Sequence, residues 1–147
     1  MKNNYYDECQ LINRQKIAFQ ALLITLILVF LNGMIATFHE WATPMIQAIV
    51  IIQLAMGYFV TCAVFKNAYL GLKSKNSYGN SIIFALLGLS NVAVSYSALT
   101  RLGAAHLISG GKLSDAAGSL LSGIFFLYVS AVILIKVLLD RRKSEDA

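Results

Sequence analysis

The chain has 147 residues, 58% of them hydrophobic and only 13% charged, with a net charge of +5. Soluble domains run nearer about 25% charged, so this balance excludes an ordinary water-soluble globule and makes a bilayer the expected solvent. The excess cations lie in short pieces between apolar runs, with no nucleic-acid motif beside them; this argues against nucleic acid as a partner and for a role in membrane threading.

A helix rising about 1.5 Å per residue needs about 20 apolar residues to cross a hydrocarbon layer roughly 30 Å thick, and four runs have that length. Ahead of the first, Asp7 and Gln10 have the spacing of a capping box, which predicts a helix from about Glu8 running unbroken into the membrane. Arg14 and Lys16 fall at headgroup level, and Tyr5 and Tyr6 suit an interfacial belt. No small-x-small cleavage site follows the run, so it reads as a retained span and not a signal peptide. Span one covers 17–38 and carries Thr25 and Asn32 seven residues apart, hence on one face directed at other helices.

The connection His39-Glu-Trp-Ala-Thr43 places Trp41 as an interfacial anchor and Pro44 where a helix can begin without its N–H. Span two, 44–65, sets Gln53, Gly57 and Thr61 on one stripe, with Gln53 near mid-depth and Gln47 closer to the outer end. An amide in hydrocarbon needs a partner, so Gln53 is expected to face another helix. The helix is expected to overrun through Tyr69 and stop at Gly71, which readily takes a left-handed cap.

Span three, about 81–100, is less apolar and puts Gly88, Asn91, Ser95 and Ala98 on a common side. Asn91 lies near the depth of Gln53, and the two are expected to hydrogen-bond. The next connection, from Arg101 to Asp115, holds Gly103, Gly110 and Gly111 around the apolar piece 104–108 and suits the outer headgroup layer. Ser114 and Asp115 fit the start of span four, 116–136, where Lys136 can stretch its amine toward the inner headgroups. Gly118 with Ser122, and Ser119 with Gly123, are interleaved small-x-x-x-small pairs of the kind that let helices approach closely, within the monomer or between copies.

Lys2, Arg14, Lys16, Lys66, Lys73, Lys75, Lys136, Arg141, Arg142 and Lys143 are ten of the 12 basic residues. They flank the runs on what four crossings would make a single side, while the other side holds only Arg101 and Lys112. That bias selects both termini in the cytoplasm. The expected architecture is therefore all-α, a single membrane domain over 1–147 built as a bundle of four transmembrane helices.

Two segments carry a resemblance. The opening Tyr6-Asp7-Glu8-x-Gln10 with a basic residue before span one, and Lys66-Asn67-Ala68-Tyr69-Leu70-Gly71-Leu72 after span two, resemble a group of small uncharacterised bacterial multi-pass membrane proteins. Those carry a Y-D-E-R-Q start and a W-K-D-A-Y-F-x-L segment; here Cys9, Phe65 and Asn67 replace the pattern's Arg, Trp and Asp. The likeness covers roughly the first half of the chain. It implies a bacterial cytoplasmic membrane and four helices, and no activity.

Chemistry is marked mostly by what the spans lack. No span has an acidic or basic residue in its middle, which argues against proton-coupled export; the small four-span drug exporters depend on an acidic residue in their first span, where this chain offers Gln20. Cys9 and Cys62 make no redox or disulfide framework. His39, Glu40, His106 and Asp115 are the residues that an external metal or acid–base site would use, without a recognisable ligand spacing. No catalytic residue, metal or cofactor is expected. The functional expectation is a non-catalytic membrane component that binds, in an accessory, immunity-like or sensory capacity, with lipid, another membrane protein or a second copy as partner. The alternative is a passive small-solute transporter or channel whose outward-opening cavity is lined by Asn32, Gln47, Gln53, Asn91, Ser95 and Ser122, with Gly57, Gly88, Gly118, Ser119 and Gly123 as packing positions.

Overall fold

The computed structural model describes residues 8–68, 77–101 and 107–145. Asp7, Tyr5, Tyr6, Tyr69, Gly71, His106 and the lysines at 2, 73 and 75 lie outside them. The elements are α1 (Glu8–Phe38), α2 (Pro44–Phe65), α3 (Ser77–Arg101), a two-stranded hairpin of β1 (Ile108–Ser109) and β2 (Lys112–Leu113), and α4 (Ala117–Glu145). All four helices are long and apolar enough to cross a membrane. With 31 residues, α1 is about 46 Å long at about 1.5 Å per residue, well beyond the hydrocarbon thickness.

Helix starts and stops follow local chemistry. α2 begins at Pro44, whose missing N–H is no loss in the first turn, and Thr43 accepts the Ile46 N–H at 3.4 Å as its N-cap. Its end departs from the expected overrun toward Gly71. The helix stops at Phe65, and Asn67 takes the left-handed conformation at φ 54°. Ala68 N–H then reaches Ala63 O at 2.8 Å and Asn67 N–H reaches Val64 O at 3.2 Å, the paired bonds of a Schellman cap. Ala68 is fully buried against Ile17 and Ala63, so the apolar contact of that motif fixes the stop earlier than the glycine would. Asn is among the few residues with a side chain that tolerates this conformation.

The helices pack as an open row. α1 lies against α2, α2 against α4, and α4 against α3. None of the most apolar stretch of α1 is buried, and only 11% of that of α3, against 28% for α2 and α4, so the latter two form the centre and the former two the ends. Between α2 and α4, Gln53 meets Ser122 and Thr61 meets Tyr128, so these two helices run parallel. Ser81 of α3 meets Ser130 of α4, and Gly88 meets Gly123, so that pair is antiparallel. The molecule is two helical hairpins joined along their second helices. An apolar cluster of Val60, Val64, Val129, Val132 and Ile133 holds the lower half of that joint.

The connection after α3 forms structure that the sequence reading did not include. Gly110 and Gly111, at φ 59° and 78°, make the two-residue turn of the hairpin, a conformation in which both central residues need positive φ. Leu113 N–H then donates to Trp41 O at 2.9 Å and Thr43 N–H to Leu113 O at 3.1 Å, bridging Ala42 to Leu113 in parallel. The α1–α2 and α3–α4 connections are thereby tied together at one end of the helices.

Candidate functional site

The polar side chains gather in three places. The first is the capped end. Asn32 on α1 donates through Nδ2 to Gln47 Oε1 at 2.8 Å and accepts the Trp41 indole N–H at 3.0 Å, while Gln47 Nε2 donates to Ala42 O at 2.8 Å. Trp41 thus turns its polar atom inward to α1 instead of outward to headgroups. Thr43 Oγ1 hydrogen-bonds the Asp115 carboxylate, and Lys112 pairs with Glu40. The ammonium of Lys112 holds the Glu40 carboxyl below its ordinary pKa through a hydrogen bond first and Coulomb attraction second. Both carboxylates of the metal or acid–base set considered from sequence therefore have partners already. Among the described residues no group of three or more His, Cys, Asp and Glu is placed to hold a metal.

The second place is the α2–α4 joint. Gln53 Nε2 donates to Ser122 Oγ at 3.2 Å, which corrects the expected bond to Asn91. Asn91 sits on the far hairpin, separated from α2 by α4, and donates instead to Leu87 O of its own helix at 2.8 Å. Thr61 Oγ1 donates to Gly57 O at 2.7 Å, and since a hydroxyl has one proton, Tyr128 is the donor in the 2.6 Å contact between Tyr128 and Thr61. On the other side of α2, Tyr58 donates to Gln20 of α1 at 3.0 Å. Between α2 and α4 these residues border a lateral groove of about 390 Å³, lined by Val50, Gln53, Gly57, Tyr58, Phe125 and Tyr128 among others.

The third place is the α3–α4 joint. Ser81 Oγ donates to Ser130 O at 3.0 Å and Ser130 Oγ to Ser81 O at 2.8 Å, a reciprocal pair buried from both solvent and lipid. Seven residues nearer the capped end, a Cβ built on Gly88 would lie 2.7 Å from Leu127 Cγ and 3.0 Å from Gly123 O, and one built on Gly123 would lie 2.7 Å from Val92 Cγ2 and 3.0 Å from Val92 N. Only glycine fits at this approach. The same register continued toward the capped end sets Ser95, 1% exposed and without a hydrogen-bond partner among the described residues, level with Ala116.

The six residues proposed for a common polar cavity are thus divided. Asn32 and Gln47 join α1 to α2, Gln53 and Ser122 join α2 to α4, Ser95 lies in the α3–α4 joint, and Asn91 caps its own turn. The interleaved small pairs divide as well: Gly118, with Ile46 Cδ1 3.2 Å from its ideal Cβ, and Ser122 face α2, whereas Gly123 faces α3 and Ser119 is half-buried. Gly57 lies under Tyr128 and Phe125.

Sequence reasoning passed over Ser81, Ser130, Tyr58 and Tyr128. A signal for the serines was present: Ser81, Gly88 and Ser95, and Ala116, Gly123 and Ser130, are both small residues at intervals of seven. Two such stripes of equal spacing are what an antiparallel close packing needs.

Of the two segments that carry the resemblance, the described residues Gln10 and Asn67 meet, Gln10 Nε2 donating to Asn67 O at 3.0 Å across the ends of α1 and α2. No protein-family model, curated protein or solved structure matches the chain.

Proposed function

We propose that the chain is a four-span component of a bacterial cytoplasmic membrane, both termini inside, that acts by binding another envelope protein and performs no chemistry of its own. The observation that carries this is the use of its polar groups. Asn32, Gln47, Gln53, Ser81, Ser122, Ser130 and Tyr128 hydrogen-bond helix to helix, and the outer charges Glu40 and Lys112 neutralise each other. Among the described residues, the apolar outer faces of α1 and α3 are open to partners, with Phe30 68% and Val94 60% exposed.

The orientation rests on charge. Arg14, Lys16, Lys66, Lys136, Arg141 and Arg142 lie at the end away from the cap, and cations of this kind face the cytoplasm. A passive pathway finds less support, because five of the residues that would line it are spread over three separate joints and Asn91 bonds within its own helix.

The reading predicts that the tagged protein, extracted mildly from native membranes, co-purifies with a stoichiometric second membrane protein. It also predicts that liposomes containing the chain alone show no solute flux. Saturable flux through such liposomes would overturn it.

A further inference from the structure

In hydrocarbon every hydrogen-bonding atom must find its partner within the protein or in a bound molecule, because no water is at hand. Gln53 stands near the middle of α2 (Pro44–Phe65), at the depth where this condition is strictest. One N–H of its Nε2 goes to Ser122, while its other N–H and its side-chain carbonyl have no partner among the described residues. Gln53 lines the α2–α4 groove, whose remaining lining is almost wholly apolar and aromatic. Lipid chains would fill the space yet offer no donor.

The groove also has the proportions of a small-molecule site. Its volume of about 390 Å³ falls within the range usual for ligand pockets. Gly57 gives it depth: a Cβ there would stand 3.5 Å from Tyr128 Cε1 and 3.7 Å from Phe125 Cε2, ordinary contact distances, so a methyl meets no clash and a longer side chain would have to take up groove space beside those rings. The Tyr58 and Tyr128 hydroxyl protons are committed to Gln20 and Thr61, leaving the two rings as walls.

We propose that the α2–α4 groove binds a membrane-soluble organic molecule that carries a hydroxyl or N–H donor on an apolar, ring-containing body, with the Gln53 carbonyl oxygen as its acceptor and Phe125 and Tyr128 against its ring. This site goes beyond the envelope partner proposed above and is independent of it.

The test uses the full chain in lipid nanodiscs and two matched probes, a diazirine-bearing dialkylphenol and the corresponding dialkylbenzene without the hydroxyl. The phenol is expected to label residues 50–58 and 121–128 saturably and to be displaced by unlabelled 2,6-diisopropylphenol. The arene is expected to bind about tenfold less tightly, the order of effect of one hydrogen bond to an otherwise unmet acceptor. Gln53→Leu should remove the preference between the probes, and Gly57→Leu should remove labelling by both. Ser122→Ala, which breaks the same interhelical bond but leaves the carbonyl in place, should keep the preference and so separates recognition from damage to the helix joint. Equal labelling by the two probes, a preference that survives Gln53→Leu, or disulfide formation between copies carrying Ile124→Cys, which would place a second chain's helix over the groove, would each overturn the proposal.

Discussion

Replacing glycines one at a time by alanine should rank the helix contacts by closeness. At Gly123 the added Cβ meets a β-branched side chain at 2.7 Å and the backbone nitrogen of Val92 at 3.0 Å, neither of which can swing aside. Overpacking of this kind costs about 1–3 kcal/mol, and the gain from replacing a helical glycine offsets about 0.5–1 kcal/mol of it. Gly123→Ala should therefore lose about 0–2.5 kcal/mol by these two terms, in the upper part of that range because both obstacles are fixed. Gly88→Ala should lose less, because its nearest obstacle is the movable Leu127 side chain, although Gly123 O at 3.0 Å keeps the sign unfavourable. Gly57→Ala should be neutral or stabilising, since its new methyl finds only ordinary contacts at 3.5 Å and beyond. The measurement is unfolding of each purified variant in mixed micelles on titration with SDS, followed by loss of helical circular dichroism. If Gly123→Ala unfolded with the wild type, the α3–α4 crossing would not be where the structure puts it, and if Gly57→Ala proved as damaging as Gly123→Ala, the α2–α4 joint would be closer than the structure has it.

Three other outcomes are expected. A double-mutant cycle on Ser81→Ala and Ser130→Ala should give a coupling of about 0.6–1.7 kcal/mol, the span found for hydrogen bonds between membrane helices; additivity would mean that the reciprocal pair is not formed. Asn67→Val should cost about 1–2 kcal/mol through its left-handed backbone, while Asn67→Gly should be tolerated; equal stability of the two would remove the Schellman cap. The Glu40 carboxyl has a lower pKa in the folded chain than an ordinary carboxyl, so its contribution is complete above the unfolded value and disappears as pH falls through the lowered one. The exposed pair is weak and salt-screened, so acid should loosen the hairpin cap only slightly, read as amide exchange of Leu113, and Lys112→Met should abolish the pH dependence.

How far the residues announce this fold depends on the distance over which each signal acts. Thr43-Pro44 starts α2 within one turn, so the first bound of Pro44–Phe65 is legible locally, and the uncharged run after it marks the extent of the span. The stripe of Gln53, Gly57 and Thr61 likewise faces a single neighbour, α4, because helical period alone puts the three on one side. Which neighbour that would be was not legible. Asn91 has the right depth for Gln53, but lateral order in a row of helices is decided by long-range fit, here the seven-residue small stripes that bind α3 to α4 and leave α2 the other face of α4. The same holds for the α2 stop, where burial of Ala68 against Ile17 from another helix outweighs the local preference for Gly71. In the hairpin, by contrast, the Gly110-Gly111 turn was a local signal for a two-residue connection, and it was masked by the apolar character of the segment before it.

Four crossings with both chain ends on one face and the tied connections on the other underlie every assignment of depth above. The direct measurement is labelling of intact cells with a membrane-impermeant thiol reagent, using single cysteines placed in a chain from which Cys9 and Cys62 have been removed. Cysteine at position 112 should react from outside, and cysteines at 66 and 142 should react only after the cells are opened. Labelling of position 66 or 142 in sealed cells, or protection of position 112 from outside, would contradict the account.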